Sequence, residues 1–198
     1  MYTLLVTGDV PGASTYFNPL LQQTIVPCTS GTRPSSPPTG MHIYETDTGK
    51  LQKWNSSSWR PVASGRTSVT PTLTASTTNP VLGSGSTAQG WYSYLSEAIV
   101  YSFFIRFGTS GTSFGSGNYQ VSLPVTAATP FGSSIHSAVG TVQLGDASSG
   151  AVSAGDCFVD PASGNFVGLI SSSGTVSPAA PWTWANSDYL SGTILYPV

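Results

Sequence analysis

Ala98–Phe107 reads AIVYSFFIRF, and its odd positions Ile99, Tyr101, Phe103, Ile105 and Phe107 are apolar without a break. Period-two alternation of β-branched and aromatic residues specifies a strand with one face on a core. The even positions are Val100, Ser102, Phe104 and Arg106, so the second face is half apolar too. Water alone gives no reason to place Phe104 there. Val100 and Phe104 are therefore expected at a contact with a neighbouring subunit.

On either side the chain repeats short strand-like runs: Gly90–Leu95 before it, then Tyr119–Val125, Ala138–Leu144, Asp156–Val159, Asn165–Ser171 and Asp188–Tyr196. Turn signals such as Asp160-Pro161-Ala162-Ser163-Gly164 separate them, and Gly108–Gly117 (GTSGTSFGSG) reads as a flexible loop. With 22 Gly and 15 Pro, no stretch is left for a convincing amphipathic helix. The pattern is all-β, a sandwich or jelly roll.

Towards the N-terminus, Met41–Pro61 reads MHIYETDTGKLQKWNSSSWRP and parses as a small meander. Asp47 and Gly49 shape its first turn, Gly49 through a positive φ. Trp54 and Trp59 flank its second turn and are expected to pack, because so short a meander has no core of its own. Ahead of it, Cys28–Gly40 is linker-like, and Leu4, Leu5, Phe17, Leu20, Leu21, Ile25 and Val26 are costly to leave in water. The expected organisation is an anchoring arm over 1–37, the meander over 38–62, a Ser/Thr/Pro-rich connector over 63–86 and a jelly-roll-like antiparallel β-sandwich over 87–198.

Only 7% of residues are charged, which permits close self-association because little repulsion opposes it. Six Lys and Arg scattered singly, with a net charge of −2, offer no basic stripe for nucleic acid. No apolar run reaches the length of a membrane span, and the opening MYTLLVTGDVPG lacks the basic region of a signal peptide.

Catalytic patterns are missing. Asp47, Asp146 and Asp160 sit in turn-like settings, and Asp156 with Asp160 matches no calcium loop. His42 and His136 make no metal spacing with each other or with Cys28 and Cys157, which are read as reduced. No nucleophile elbow, P-loop or dinucleotide fingerprint occurs. The expectation is no enzyme, no metal and no cofactor. The five tryptophans remain; Trp54, Trp182 and Trp184 could stack on sugar rings, and large aromatics at turn edges also anchor cores and interfaces.

Pro38-Thr39-Gly40, the TDTG turn at Thr46–Gly49 and the Trp54-Asn55-Ser56-Ser57-Ser58-Trp59 turn resemble a segment of tailed-bacteriophage virion proteins. In that pattern a Gly follows the Asn, where this chain has Ser56. Gly90-Trp91-Tyr92, Ile105–Gly108, Tyr119–Pro124, Pro181–Trp184 and Asp188–Leu190 are similar to the jelly-roll pattern of phage minor tail and head-appendage proteins. The resemblance spans about 38–198. It implies a non-enzymatic structural subunit on the virion exterior, commonly a homotrimer, attached to other virion proteins through residues 1–37 and displaying a β-domain that contacts host-surface glycan. A monomeric carbohydrate-binding module or adhesin is the alternative.

Overall fold

The computed structural model describes residues 25–128, 137–159 and 164–198, and every regular element in them is a strand. The expectations for the arm over 1–24, for His136 and for Asp160 lie outside the described residues. The chain divides into two compact units, 1–65 and 66–198.

In the first unit β1 (Ile25–Cys28), β2 (His42–Glu45), β3 (Lys50–Trp54) and β4 (Trp59–Ser64) form consecutive neighbours. β1 runs parallel to β2, from Ile25 opposite His42 to Cys28 opposite Glu45, and the other two pairings are antiparallel. The expected turns are present. Gly49 has φ +65° and donates its N–H to the Glu45 carbonyl at 2.8 Å. Asn55 Oδ1 accepts the backbone N–H of Ser57 and Ser58 at 3.0 and 2.9 Å.

Ser56 has φ +85°, the conformation that favours the Gly of the resembling pattern. Ser56→Gly relieves strain of about 1 kcal/mol and adds unfolded-state entropy that offsets part of it. A net gain of about 0.5 kcal/mol is expected, read as a rise in the denaturation midpoint.

The arm boundary at 37 does not coincide with a structural one. Residues 25–37 belong to the meander's unit, held by β1 and by two side-chain clamps. Asp47 accepts the backbone N–H and the hydroxyl of Ser30 at 2.9 and 2.6 Å. Glu45, fully buried, accepts hydrogen bonds from Arg33 Nε, from the Thr48 hydroxyl at 2.5 Å and from Gln52 Nε2 at 2.6 Å. Composition marked this segment as linker because Ser, Thr and Pro carry no apolar periodicity. Its order comes from polar partners far along the chain.

The second unit holds β5 (Thr67–Val69), β6 (Leu73–Ala75), β7 (Thr87–Leu95), β8 (Ala98–Arg106), β9 (Tyr119–Ser122), β10 (Ser137–Gly145), β11 (Val152–Val159), β12 (Phe166–Ser171), β13 (Gly174–Thr175) and β14 (Tyr189–Pro197). The ladder runs β5-β7-β8-β14-β10-β11-β12-β9-β6, antiparallel throughout, with β13 on β12. One cluster of buried side chains draws on β6, β8, β9, β10, β11, β12 and β14. The ladder therefore folds over so that its two halves share a core, a sandwich-like all-β arrangement. The odd residues of β8 and Phe107 lie in that core as expected.

Two stretches differ from their sequence reading. The 63–86 segment is not a bare connector: it contributes β5 and β6, and Leu73 is a core residue. Gly108–Gly117 is not a free loop either. Thr78, Val81 and Ser84 bridge to Ser116, Ser113 and Ser110, so Leu73–Leu95 and Ala98–Ser122 form one long bent hairpin. Its two arms approach so closely that only glycine serves at some positions. At Gly115, with φ +64°, a Cβ would stand 2.1 Å from the Thr78 carbonyl oxygen.

Tyr101 is fully buried on β8, and its hydroxyl has no hydrogen-bond partner among the described residues. Burial pushes this phenol up from its ordinary value. An unpaired buried hydroxyl costs free energy that a ring of the same shape without it avoids. Tyr101→Phe is expected to stabilise the protein by about 1 kcal/mol; a lowered midpoint in chemical denaturation would contradict the assignment.

Candidate functional site

The outward face of the β7-β8-β14-β10-β11 half follows from the alternation read in β8. Register places Trp91, Ser102, Thr193, Thr141 and Asp156 in one row across the strands. Gln89, Phe104, Ser191, Gln143 and Ala154 form the next. All of these but Asp156 border an open hollow of about 710 Å³. Ser102 and Thr193 hydroxyls bond each other at 3.0 Å. Phe104 is stacked on Tyr189 with ring centroids 5.9 Å apart. Trp91 is 39% exposed, with the Arg66 guanidinium 4.2 Å over its ring centre. In the row next to Trp91 and Ser102 the same face carries an apolar patch, where Val100 pairs with Leu195 beside Leu95. These three are 37%, 51% and 57% exposed.

The residues singled out in sequence do not come together. Asp47 and Gly49 are in the first turn of the first unit. Trp54 and Trp59 meet across the β3–β4 turn, centroids 5.4 Å apart, each half-buried. Val100 and Phe104 lie on the outer face of the second unit. Trp182 is half-buried, its indole N–H donating to Asp188 Oδ2 at 3.3 Å. Trp184 is 2% exposed, packed between Phe107 and Tyr119, and presents no ring face to a sugar. Stacking on Trp184 is thus excluded by burial. The sequence leaves both stacking and core packing open for a turn-edge Trp, and the fold decides for packing.

Trp91, one of the five tryptophans, was not among those singled out for stacking. A signal for it existed: Tyr92 and Tyr94 pack on the core, so Trp91 on the same strand must face outward. Pairing with Ser102 of β8 fixes that side, and the pairing is a long-range fact.

Several of the ionisable groups are engaged in structure. Asp188 is fully buried and accepts the backbone N–H of Ala147 and Ala185 at 2.9 and 2.8 Å, as well as the Trp182 indole. Asp146 accepts hydrogen bonds from the hydroxyls and backbone N–H groups of Ser148 and Ser149, which pull its carboxyl down to about 2. Burial pushes the Cys157 thiol up to about 12, where it is a poor nucleophile. Cys28 is raised as well, by burial and then by the Glu45 charge. Among the described residues no three His, Cys, Asp or Glu side chains are grouped to hold a metal.

For Glu45, burial alone would raise the carboxyl. The hydrogen bonds from Arg33, Thr48 and Gln52, with the Arg33 charge, outweigh it and hold the group below its ordinary value of 4.5. Asp47 is held below its ordinary value by Ser30. The folded first unit thus binds fewer protons than its unfolded chain in this range. Its stabilisation is full above the ordinary carboxylate range and is lost as pH falls through the lowered folded values. Protection of the β1–β4 amides, measured against their intrinsic exchange rates, is expected to fall as pH drops from about 4.5 towards 3. Glu45→Gln should flatten that dependence while exchange in β8 stays unchanged.

No family model, curated protein or solved structure matches the chain.

Proposed function

We propose that this chain is a non-enzymatic structural component of a bacteriophage virion, a trimeric appendage attached to the tail or capsid. The observation that carries the reading is the TDTG–Trp segment. Its motif residues fold into a compact unit of their own, ahead of a larger β-unit, the modular order of an attachment piece and a displayed piece. The patch of Leu95, Val100 and Leu195 supports self-association, since large exposed apolar side chains adjoin on a chain with little charge. Phe104 is partly satisfied by Tyr189, so the trimer contact centres on Val100 rather than on Phe104. The long bent hairpin supports a jelly-roll-like form for the second unit, with the consecutive β10-β11-β12 meander as a departure from it.

The adhesin reading loses Trp184 to the core, and the other two tryptophans named for stacking, Trp54 and Trp182, are half-buried. Localisation tests the virion reading directly. The protein should co-sediment with purified particles at fixed stoichiometry and run as a trimer in solution. A chain shortened to residues 25–198 should fold yet fail to load. Absence from intact particles together with a monomeric solution state would overturn it.

A further inference from the structure

We propose that the outward face of β2, β3 and β4 in the first unit docks an acidic, amphipathic segment of another protein. The proposal stands apart from the virion reading and uses neither the arm nor the trimer contact. Its ground is a row of cations that the sequence scatters and the register assembles. His42 lies opposite Lys53 and Lys53 opposite Arg60, so the three stand on adjacent strands over about 10 Å, two spacings of ~4.8 Å. Alternation puts them on the side away from buried Ile43 and Gln52, and Lys53 and Arg60 are exposed.

Like charges directly opposite each other across a strand pair destabilise a sheet. Lys53 and Arg60 are such a pair, and no carboxylate among the described residues forms an ion pair with either. The acids of this unit are committed elsewhere. Glu45 is buried on the opposite face with Arg33, and Asp47 is held in its turn by Ser30. In a chain with only six Lys and Arg, two placed face to face are a cost that a bound anion offsets.

The neighbouring row on the same side is apolar. Pro27, Tyr44 and Leu51 lie opposite one another on β1, β2 and β3, and Tyr44 is 44% exposed. Ile25, 57% exposed, closes the end of the cation row. An acidic stripe beside an apolar stripe complements the two rows. A helix supplies both, since carboxylates three or four residues apart stand about 5–6 Å from each other, close to the strand spacing.

Nucleic acid suits the face less well. Pro27 and Leu51 give a base no ring to stack on, and residues 66–198 set Arg66 and Arg106 against Glu97, Asp146, Asp156, Asp160 and Asp188, which repels a polyanion. A second copy of the chain offers no row of carboxylates among its described residues. Glu97 is in the β7–β8 turn, Asp156 is within β11, Asp146 is taken by Ser148 and Ser149, and Asp188 is buried. The occupant is therefore a different, acidic polypeptide.

Titration of the isotope-labelled full chain with a synthetic helical peptide carrying Glu and Leu on one face tests this. The largest amide shifts are expected in β2, β3 and β4, with affinity falling as salt is added. Arg60→Glu should raise the denaturation midpoint, because it turns a repelling pair into an attracting one, and should weaken the peptide about tenfold or more. The double variant K53E/R60E should lose the Glu peptide and accept the matching Lys peptide, a swap that misfolding does not produce. Tyr44→Ser should weaken the Glu peptide several-fold and leave its salt dependence in place. No binding of the Glu peptide, shifts confined to the second unit, or unchanged affinity in K53E/R60E would each overturn the proposal. So would a midpoint lowered by Arg60→Glu, or tighter binding to a single-stranded oligonucleotide or to phosphatidylserine vesicles than to the peptide.

Discussion

Trp184→Ala is expected to destabilise the second unit by about 3–5 kcal/mol, the cost of removing a fully buried large aromatic. The side chain is the largest fully buried one and sits where three elements meet. Its ring is 5.7 Å from Phe107 at the end of β8, 5.6 Å from Tyr119 on β9 and 6.0 Å from Trp182 in its own loop. The indole N–H donates to the Ala180 carbonyl at 3.4 Å, so the polar end is also accounted for within the loop. Truncation leaves a void that rigid strands on two sides cannot close. Phe107 and Phe114, in contact at 4.9 Å, lose a supporting wall with it. Trp184→Phe keeps most of the volume and should cost less than half as much. Urea denaturation followed by the near-ultraviolet signal measures both; a loss under about 1 kcal/mol for the alanine variant would place the residue outside the core.

Asp188→Ala is expected to cost about 3 kcal/mol, by a different mechanism. The carboxylate is the common acceptor for two backbone N–H groups and one indole N–H, and it joins the β10–β11 turn to the Trp182–Ala185 loop. Alanine leaves those donors facing apolar surroundings, and each unpaired buried donor is costly. Asp188→Asn should lose less, because one amide oxygen still accepts while its NH₂ faces donors. The effect is local as well as global. Exchange of the Ala147 and Ala185 amides should accelerate in both variants, while the amides of β8 follow only the overall stability. An alanine variant as stable as the parent would remove Asp188 from any structural role.

These two residues also show where sequence reading ends. Asp188 was one acidic residue among several, with no local pattern to mark it. Its partners at 147 and 182 are brought to it by the pairing of β14 with β10 and by the loop ahead of β14. For Trp184 the sequence left sugar stacking open beside core packing, because a large aromatic at a turn edge suits either. Phe107 and Tyr119 lie far off in sequence, and only their convergence supplies the walls that bury it.

The chain by itself determined the all-β character, the core face of β8, the two turns of the meander and the φ of Gly49. Each depends on the repeat of side chains over a few residues or on one residue's backbone freedom, and such local rules survive any tertiary arrangement. Tertiary structure alone decided that residues 25–37 are clamped to the meander, that the 63–86 segment supplies two strands, and that the Gly-rich loop is half of a long hairpin. It also selected Trp91 rather than Trp184 as the ring left facing outward. Polar clamps, backbone bridges through glycine and the packing of distant aromatics have no periodicity to betray them. They form only when long-range strand pairing brings their partners within a few ångströms.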